Sequence, residues 1–133
     1  QIKGNIFDLF VITTYQGKKF CFGCVQCKTS IRDRVTRDRE PSIHAMESYF
    51  WSVVFVLDGD FLKNPKFQYM VNGGSKEFPT NGWHGLYDVS ASFNLGRIYP
   101  LDLNFDLLRQ HSEKAVNHWL KQRQWFNHEW KAD

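Results

Sequence analysis

Two apolar runs of strand length stand near the start of the chain with a polar stretch between them. Residues 5–12, Asn-Ile-Phe-Asp-Leu-Phe-Val-Ile, are strongly β-prone with a single carboxylate, Asp8, in their middle; residues 20–27, Phe-Cys-Phe-Gly-Cys-Val-Gln-Cys, form the second run. Residues 13–19 between them hold Gly17 and supply a turn, so the pair predicts a β-hairpin. Side chains along a strand alternate faces, which puts Gln26 and Lys28 on one side and Val25 and Cys27 on the other. A carboxylate inside an apolar strand is costly to bury without a partner. Asp8 therefore either sits at an edge facing water or stands beside the Gln26/Lys28 face, which a hairpin of this length can bring to it.

Beyond Lys28 the pattern changes. Residues 29–39 have few apolar positions. Ile31 and Val35, four apart, support one weakly amphipathic helix carrying Arg32, Arg34, Arg37 and Arg39, capped by Thr29 or Ser30 and ended by Pro41. Ser42 opens a second short helix to about Tyr49. Residues 50–57 are nearly all apolar, the pattern of a strand buried on both faces, and Asp58-Gly59-Asp60 ends it. Residues 61–71 suit a short helix, 72–75 and 79–82 are turn-rich, 86–91 suit a further strand, and 94–100 carry no regular pattern. From a cap at Asn104 or Asp106, apolar positions from Phe105 to Leu120 recur at helical spacing, giving the longest predicted helix, to about Gln124.

A length of 133 residues suits one domain with a real core, and twelve Phe make that core dense. The net charge of +3 does not by itself demand nucleic acid, but Lys18, Lys19, Lys28, Arg32, Arg34, Arg37 and Arg39 fall in one short region. No apolar run is long enough to span a bilayer and no signal-peptide pattern is present, which points to a cytoplasmic protein away from membranes. Cys21, Cys24 and Cys27 are odd in number and crowded, against a disulfide framework; their spacing echoes part of an iron–sulfur motif, but strand alternation turns Cys24 away from the other two and no fourth cysteine exists. They read as core cysteines. Trp125, Phe126 and Trp130 read as packing at the helix end, with a dimer or DNA surface as the alternative.

Asp8, followed by Gln26-Cys27-Lys28-Thr29-Ser30-Ile31-Arg32-Asp33-Arg34, resembles the PD-(D/E)xK nuclease superfamily and, within it, type II restriction endonucleases. In those enzymes a carboxylate on one strand precedes a (Glu/Gln)-x-Lys pair on the next, and several members continue into a Lys-Thr-Ser/Thr segment and an Arg-acid-Arg helix. Phe7 stands where the family has Pro, and Gln26 where Glu is commoner. The resemblance implies an α/β (α+β) restriction-endonuclease-like core, a mixed sheet of about four to five strands flanked by helices. It would form a single nuclease catalytic domain over residues 1–133, and a start at Gln1 with the key stretch following almost at once reads as the C-terminal part of a longer protein.

The same resemblance implies a sequence-specific endonuclease hydrolysing phosphodiester bonds in double-stranded DNA with Mg2+, acting as a homodimer inside a prokaryotic cell. Such hydrolysis needs an activated water, a charge-compensating cation and stabilisation of the phosphorane, and Mg2+ prefers oxygen ligands. Asp8, Gln26 and Lys28 would be catalytic. Asp8 would be the principal metal carboxylate, with the Gln26 amide oxygen and the Cys27 main-chain carbonyl as further ligands. Lys28 would orient or help deprotonate the water and neutralise charge on the phosphate. Thr29, Ser30, Arg32 and Arg34 would contact DNA phosphates. A second carboxylate must come from elsewhere, with Glu40 and Glu47 as candidates, and residues 72–83 are a candidate loop for base readout. The alternatives are a catalytically lapsed nucleic-acid-binding module, a repair or recombination nuclease of the same fold, and a metal or iron–sulfur protein built on the cysteines.

Overall fold

The computed structural model describes residues 7–29 and 35–133. β1 (Leu9–Tyr15) and β2 (Lys18–Lys28) form the predicted antiparallel hairpin, with Tyr15 opposite Lys18. Its loop is only Gln16 and Gly17, both at positive φ (52° and 76°), the mirror-image turn whose twist matches paired strands. It is tighter than expected because Thr13 and Thr14 continue the ladder instead of leaving it. β1 also begins at Leu9, so Asp8 stands at the entrance of the strand and not in its middle.

The chain then forms α1 (Val35–Glu47) and β3 (Trp51–Val56). Two helices divided by Pro41 were expected; a single helix runs through that proline instead. Pro41 removes one main-chain hydrogen bond. Burial of Asp38, Ser42, Ala45 and Met46, an i, i+4, i+7, i+8 stripe, offsets that loss, and Ser42 Oγ lies 2.7 Å from Ser52 Oγ of β3. Local propensity pointed to a break, and packing on the sheet overrides it.

A 3-10 turn (Asp60–Lys63) and α2 (Pro65–Asn72) follow, then β4 (Gly85–Asp88), β5 (Ile98–Pro100), α3 (Asp106–Gln122) and a closing 3-10 turn (Arg123–Trp125). The five strands lie in the order β1-β2-β3-β4-β5, and β2 to β5 are mutually parallel. This is the mixed sheet with flanking helices that the sequence implies. Strand alternation divides the core. Val54, Val56, Leu86 and Ile98 pack with Leu62, Met70 and Val71 on one face, whereas Val53, Tyr87 and Tyr99 meet Ala115 and Trp119 of α3 on the other. β4 stops at Asp88, short of residue 91, because the Asp88 carboxylate accepts hydrogen bonds from the Ser90 and Ser92 main-chain N–H groups (3.0 and 3.2 Å) and curls the chain. β5 escapes the sequence pattern because it is three residues long and ends in Pro100. Among the described residues no helix is long and apolar enough to cross a membrane.

His84, just before β4, ties three segments together. Its Nδ1 accepts from the Ser52 N–H at 3.0 Å and its Nε2 lies 2.7 Å from the Asn127 carbonyl, which fixes a neutral tautomer protonated at Nε2. Burial, foremost, pushes its pKa down from 6.5 to about 3. The unfolded chain therefore binds this proton more readily than the folded one between those values, so stability falls as pH drops through that window. We expect urea unfolding midpoints to decline from pH 6.5 downward, by an amount on the order of a few kcal/mol when fully expressed. A His84→Gln variant should show a flatter acid limb.

Candidate active site

The parallel strands β2, β3 and β4 deliver their carboxyl ends to one edge of the molecule, where open α/β sheets present ligand sites. The β2–β3 ladder continues past the strands themselves, the N–H groups of Leu57 and Asp58 donating to the carbonyls of Lys28 and Thr29, each at 3.0 Å. This fixes the main chain of the Gln26-Cys27-Lys28 stretch from the β3 side.

Asp8 fixes it from the other side. The Asp8 N–H donates to the Val25 carbonyl at 2.9 Å, and Asp8 Oδ2 accepts from the Cys27 N–H at 2.7 Å. The exposed carboxylate is thus held against the peptide that separates Gln26 from Lys28. Because the Lys28 carbonyl is used on the β3 side, alternation turns the Cys27 carbonyl toward the β1 side, beside Asp8.

The third arm comes from α1. Lys28 Nζ lies 2.7 Å from Asp38 Oδ2, and Asp38 is only 7% exposed. That oxygen is buried, and the ammonium is its counter-charge. Gln26, at 0% exposure, donates from Nε2 to the Asp38 main-chain carbonyl at 3.0 Å and accepts at Oε1 from Trp83 Nε1 at 3.1 Å. Both ends of the Gln26 amide therefore have protein partners, which leaves it poorly placed for the expected metal ligand. Its place in the interior of the sheet explains why it turns inward while Asp8 faces water.

Other expectations meet the structure unevenly. Glu40 and Glu47 are exposed, and Glu40 lies 3.7 Å from His44; the helix carboxylate beside Lys28 is Asp38 instead. Thr29 is exposed at the end of β2, while Ser30, Arg32 and Arg34 lie outside the described residues. The run of basic residues is not one patch, since Lys18 and Lys19 sit at the opposite end of β2, roughly 30 Å from Lys28. Arg39 donates to the Met70 carbonyl at 2.9 Å and to the Thr80 carbonyl, so it ties α2 to the loop that follows it. The proposed readout loop is buried at its far end, where Asn81 donates to the Trp83 and His128 carbonyls at 2.8 Å. Cys24 is core, packed with Phe7 and Ala45, its thiol pushed up to about 12 by burial; Cys27 is exposed, its thiol raised by partial desolvation and then by the Asp8 charge. Among the described residues no three His, Cys, Asp or Glu side chains cluster as a ready metal cage.

Asp38 left one trace in the sequence. It lies four residues before Ser42, on the stripe that continues to Ala45 and Met46, and an acid on a helix's inner face demands a partner. Ending the helix at Pro41 hides that stripe.

The family profile described as BsaWI restriction endonuclease type 2 matches residues 1–125. Among solved structures, the crystal structure of the pre-specific restriction endonuclease BsaWI–DNA complex superposes with a TM-score of 0.93 at 56% sequence identity, over 97% of this chain and 47% of that one. The chain thus spans about half the length of that structure's chain. No curated protein gave a sequence match. With the profile running through nearly every element that positions Asp8, Lys28 and Asp38, the chain belongs to the BsaWI family of type 2 restriction endonucleases.

Proposed function

We propose that this chain carries the hydrolytic centre of a sequence-specific endonuclease that cuts double-stranded DNA with Mg2+. The observation that carries the reading is that the end of β2 holds both acids, Asp8 at the Cys27 N–H and Asp38 at the Lys28 ammonium, each at 2.7 Å. Two carboxylates against the Lys28 ammonium and the Arg37 guanidinium, 3.9 Å from Asp38 Oδ1, leave that group with a net charge of about 0, and a divalent cation would bring it to about +2, complementary to a phosphodiester.

The donor set fits such an ion. Asp8, Asp38 and the Cys27 carbonyl offer oxygens only, and few of them, as suits Mg2+, which keeps several of its waters. Asp38 Oδ2 already faces the Lys28 ammonium at 2.7 Å, so a cation would share this carboxylate with Lys28. When bound, the ion supplies charge compensation at the phosphate and a more acidic water. Asp8 and Asp38 would hold it, from the entrance of β1 and from α1. Lys28, whose stem is fixed by β2 and whose ammonium is aimed by Asp38, would neutralise charge developing on the phosphoryl oxygens. Gln26 would act from inside the protein by holding Asp38. Thr29, Ser30, Arg32 and Arg34, which follow Lys28 in the sequence, would position the DNA backbone.

One centre cuts one strand, so cleavage of a palindromic target calls for two copies related by a two-fold axis, a homodimer. The proposed setting is the prokaryotic cytoplasm, where the DNA lies. Incubation with plasmid DNA and Mg2+ should give discrete fragments, and Asp8→Ala and Lys28→Ala should abolish them. Cleavage that survives both substitutions contradicts the proposal, and structure-dependent nicking in place of discrete fragments would favour a repair nuclease.

A further inference from the structure

Trp83 lies outside the stretch that carries the chemistry, yet its indole reaches into it. It is 1% exposed, and its Nε1–H is directed at the Gln26 side-chain oxygen at 3.1 Å. An indole nitrogen can only donate, whereas an amide offers an oxygen at one end and an NH2 at the other. Trp83 therefore decides which way the Gln26 amide faces: Oε1 must point to the indole, and Nε2 is left to donate to the Asp38 main-chain carbonyl at 3.0 Å. Asp38 is then gripped twice from β2, at its carbonyl by Gln26 and at its carboxylate by Lys28, 2.7 Å away. The other charged neighbour of that carboxylate, Arg37, is exposed and stands farther off, 3.9 Å from Oδ1.

We infer that Trp83 is a positioning residue of the active site: through the Gln26 amide it fixes Asp38 for metal binding. The inference rests on the reading of Asp38 as a metal carboxylate. It also gives a reason for Gln at position 26. A glutamate there could accept from Trp83 but would set its second oxygen against the Asp38 carbonyl, where a donor is required.

The test compares Trp83→Phe with Trp119→Phe. Trp119 is equally a buried indole, on the α3 face, but its Nε1 has no hydrogen-bond partner among the described residues, so the second change trims the same atoms without breaking such a bond. Half-maximal Mg2+ for DNA cleavage and Ca2+ affinity by calorimetry, with Ca2+ as a probe that does not need turnover, are read for both, alongside Asp38→Asn. Loss of one buried hydrogen bond predicts that Trp83→Phe raises the half-maximal Mg2+ about tenfold and weakens Ca2+ binding about tenfold, and that Trp119→Phe changes neither. If Asp38→Asn shifts the metal dependence and Trp83→Phe does not, the positioning role is overturned. If Asp38→Asn leaves it unmoved, the underlying reading fails and takes the inference with it. Should Trp83→Phe not fold, the wild-type indole N–H signal decides: exchange protection that increases on Ca2+ addition supports the link, and indifference to Ca2+ overturns it.

Discussion

Asp38→Asn should lower the single-turnover cleavage rate by about a thousandfold while Glu40→Gln leaves it near the wild-type value. The asparagine keeps the shape of the side chain and its place on α1 but removes the charge that balances Lys28 at 2.7 Å and that would hold the cation. Charge stabilisation of this kind is worth several kcal/mol in a phosphoryl-transfer transition state, hence the magnitude. Glu40 is two residues away on the same helix but exposed beside His44, so neutralising it changes nothing at the site. Folding should suffer less than catalysis. Lys28 would lose its partner, but its side chain keeps some access to water, which limits the cost to about 1–3 kcal/mol. Rapid-quench cleavage and urea unfolding of the same preparations separate the two effects.

Gln26→Glu should impair the protein, although it brings in the residue commoner at this place among PD-(D/E)xK nucleases. The amide is wholly buried, with Trp83 at its oxygen and the Asp38 carbonyl at its NH2. A carboxylate would meet that carbonyl oxygen to oxygen, close to the Asp38 charge, at a cost of about 2–4 kcal/mol near neutral pH. Burial and the neighbouring negative charge would raise the new group's folded pKa above its unfolded value of about 4.3. The penalty should therefore be small below that pH and grow as pH rises through the folded pKa, where the folded state must give up the proton. Denaturant midpoints of the variant minus wild type, followed from acid to neutral pH, read this directly. A variant equally stable at neutral pH and faster at cleavage would show that Gln26 is a depleted metal ligand, the role suggested by sequence position.

These two substitutions mark the boundary of what the sequence discloses. The hairpin, the buried β3 and the long α3 are legible because apolar period, turn residues and length agree there. Asp8 and Lys28 are legible because a lone carboxylate in a β-prone run and a Lys after a strand are both out of place in a core. Asp38 is hidden by Pro41: propensity splits α1 into two helices, and only tertiary packing, through Ser42, Ala45 and Met46, restores the face on which the acid lies. Trp83 is hidden for a different reason. Its link to Gln26 spans 57 positions and depends on β4 lying beyond β3, a pairing that no local pattern encodes. β5 is too short to show a period at all.

The most direct test of the site is to locate the ion itself. Crystals of the protein grown or soaked with Mn2+, a stand-in with anomalous scattering, should show one strong anomalous peak liganded by the carboxylates of Asp8 and Asp38, with the Cys27 carbonyl alongside and Gln26 still bonded to Trp83. A Mn2+ ion held by neither carboxylate, or one bound by Glu40 or by the Gln26 side chain, would contradict the arrangement proposed for this chain.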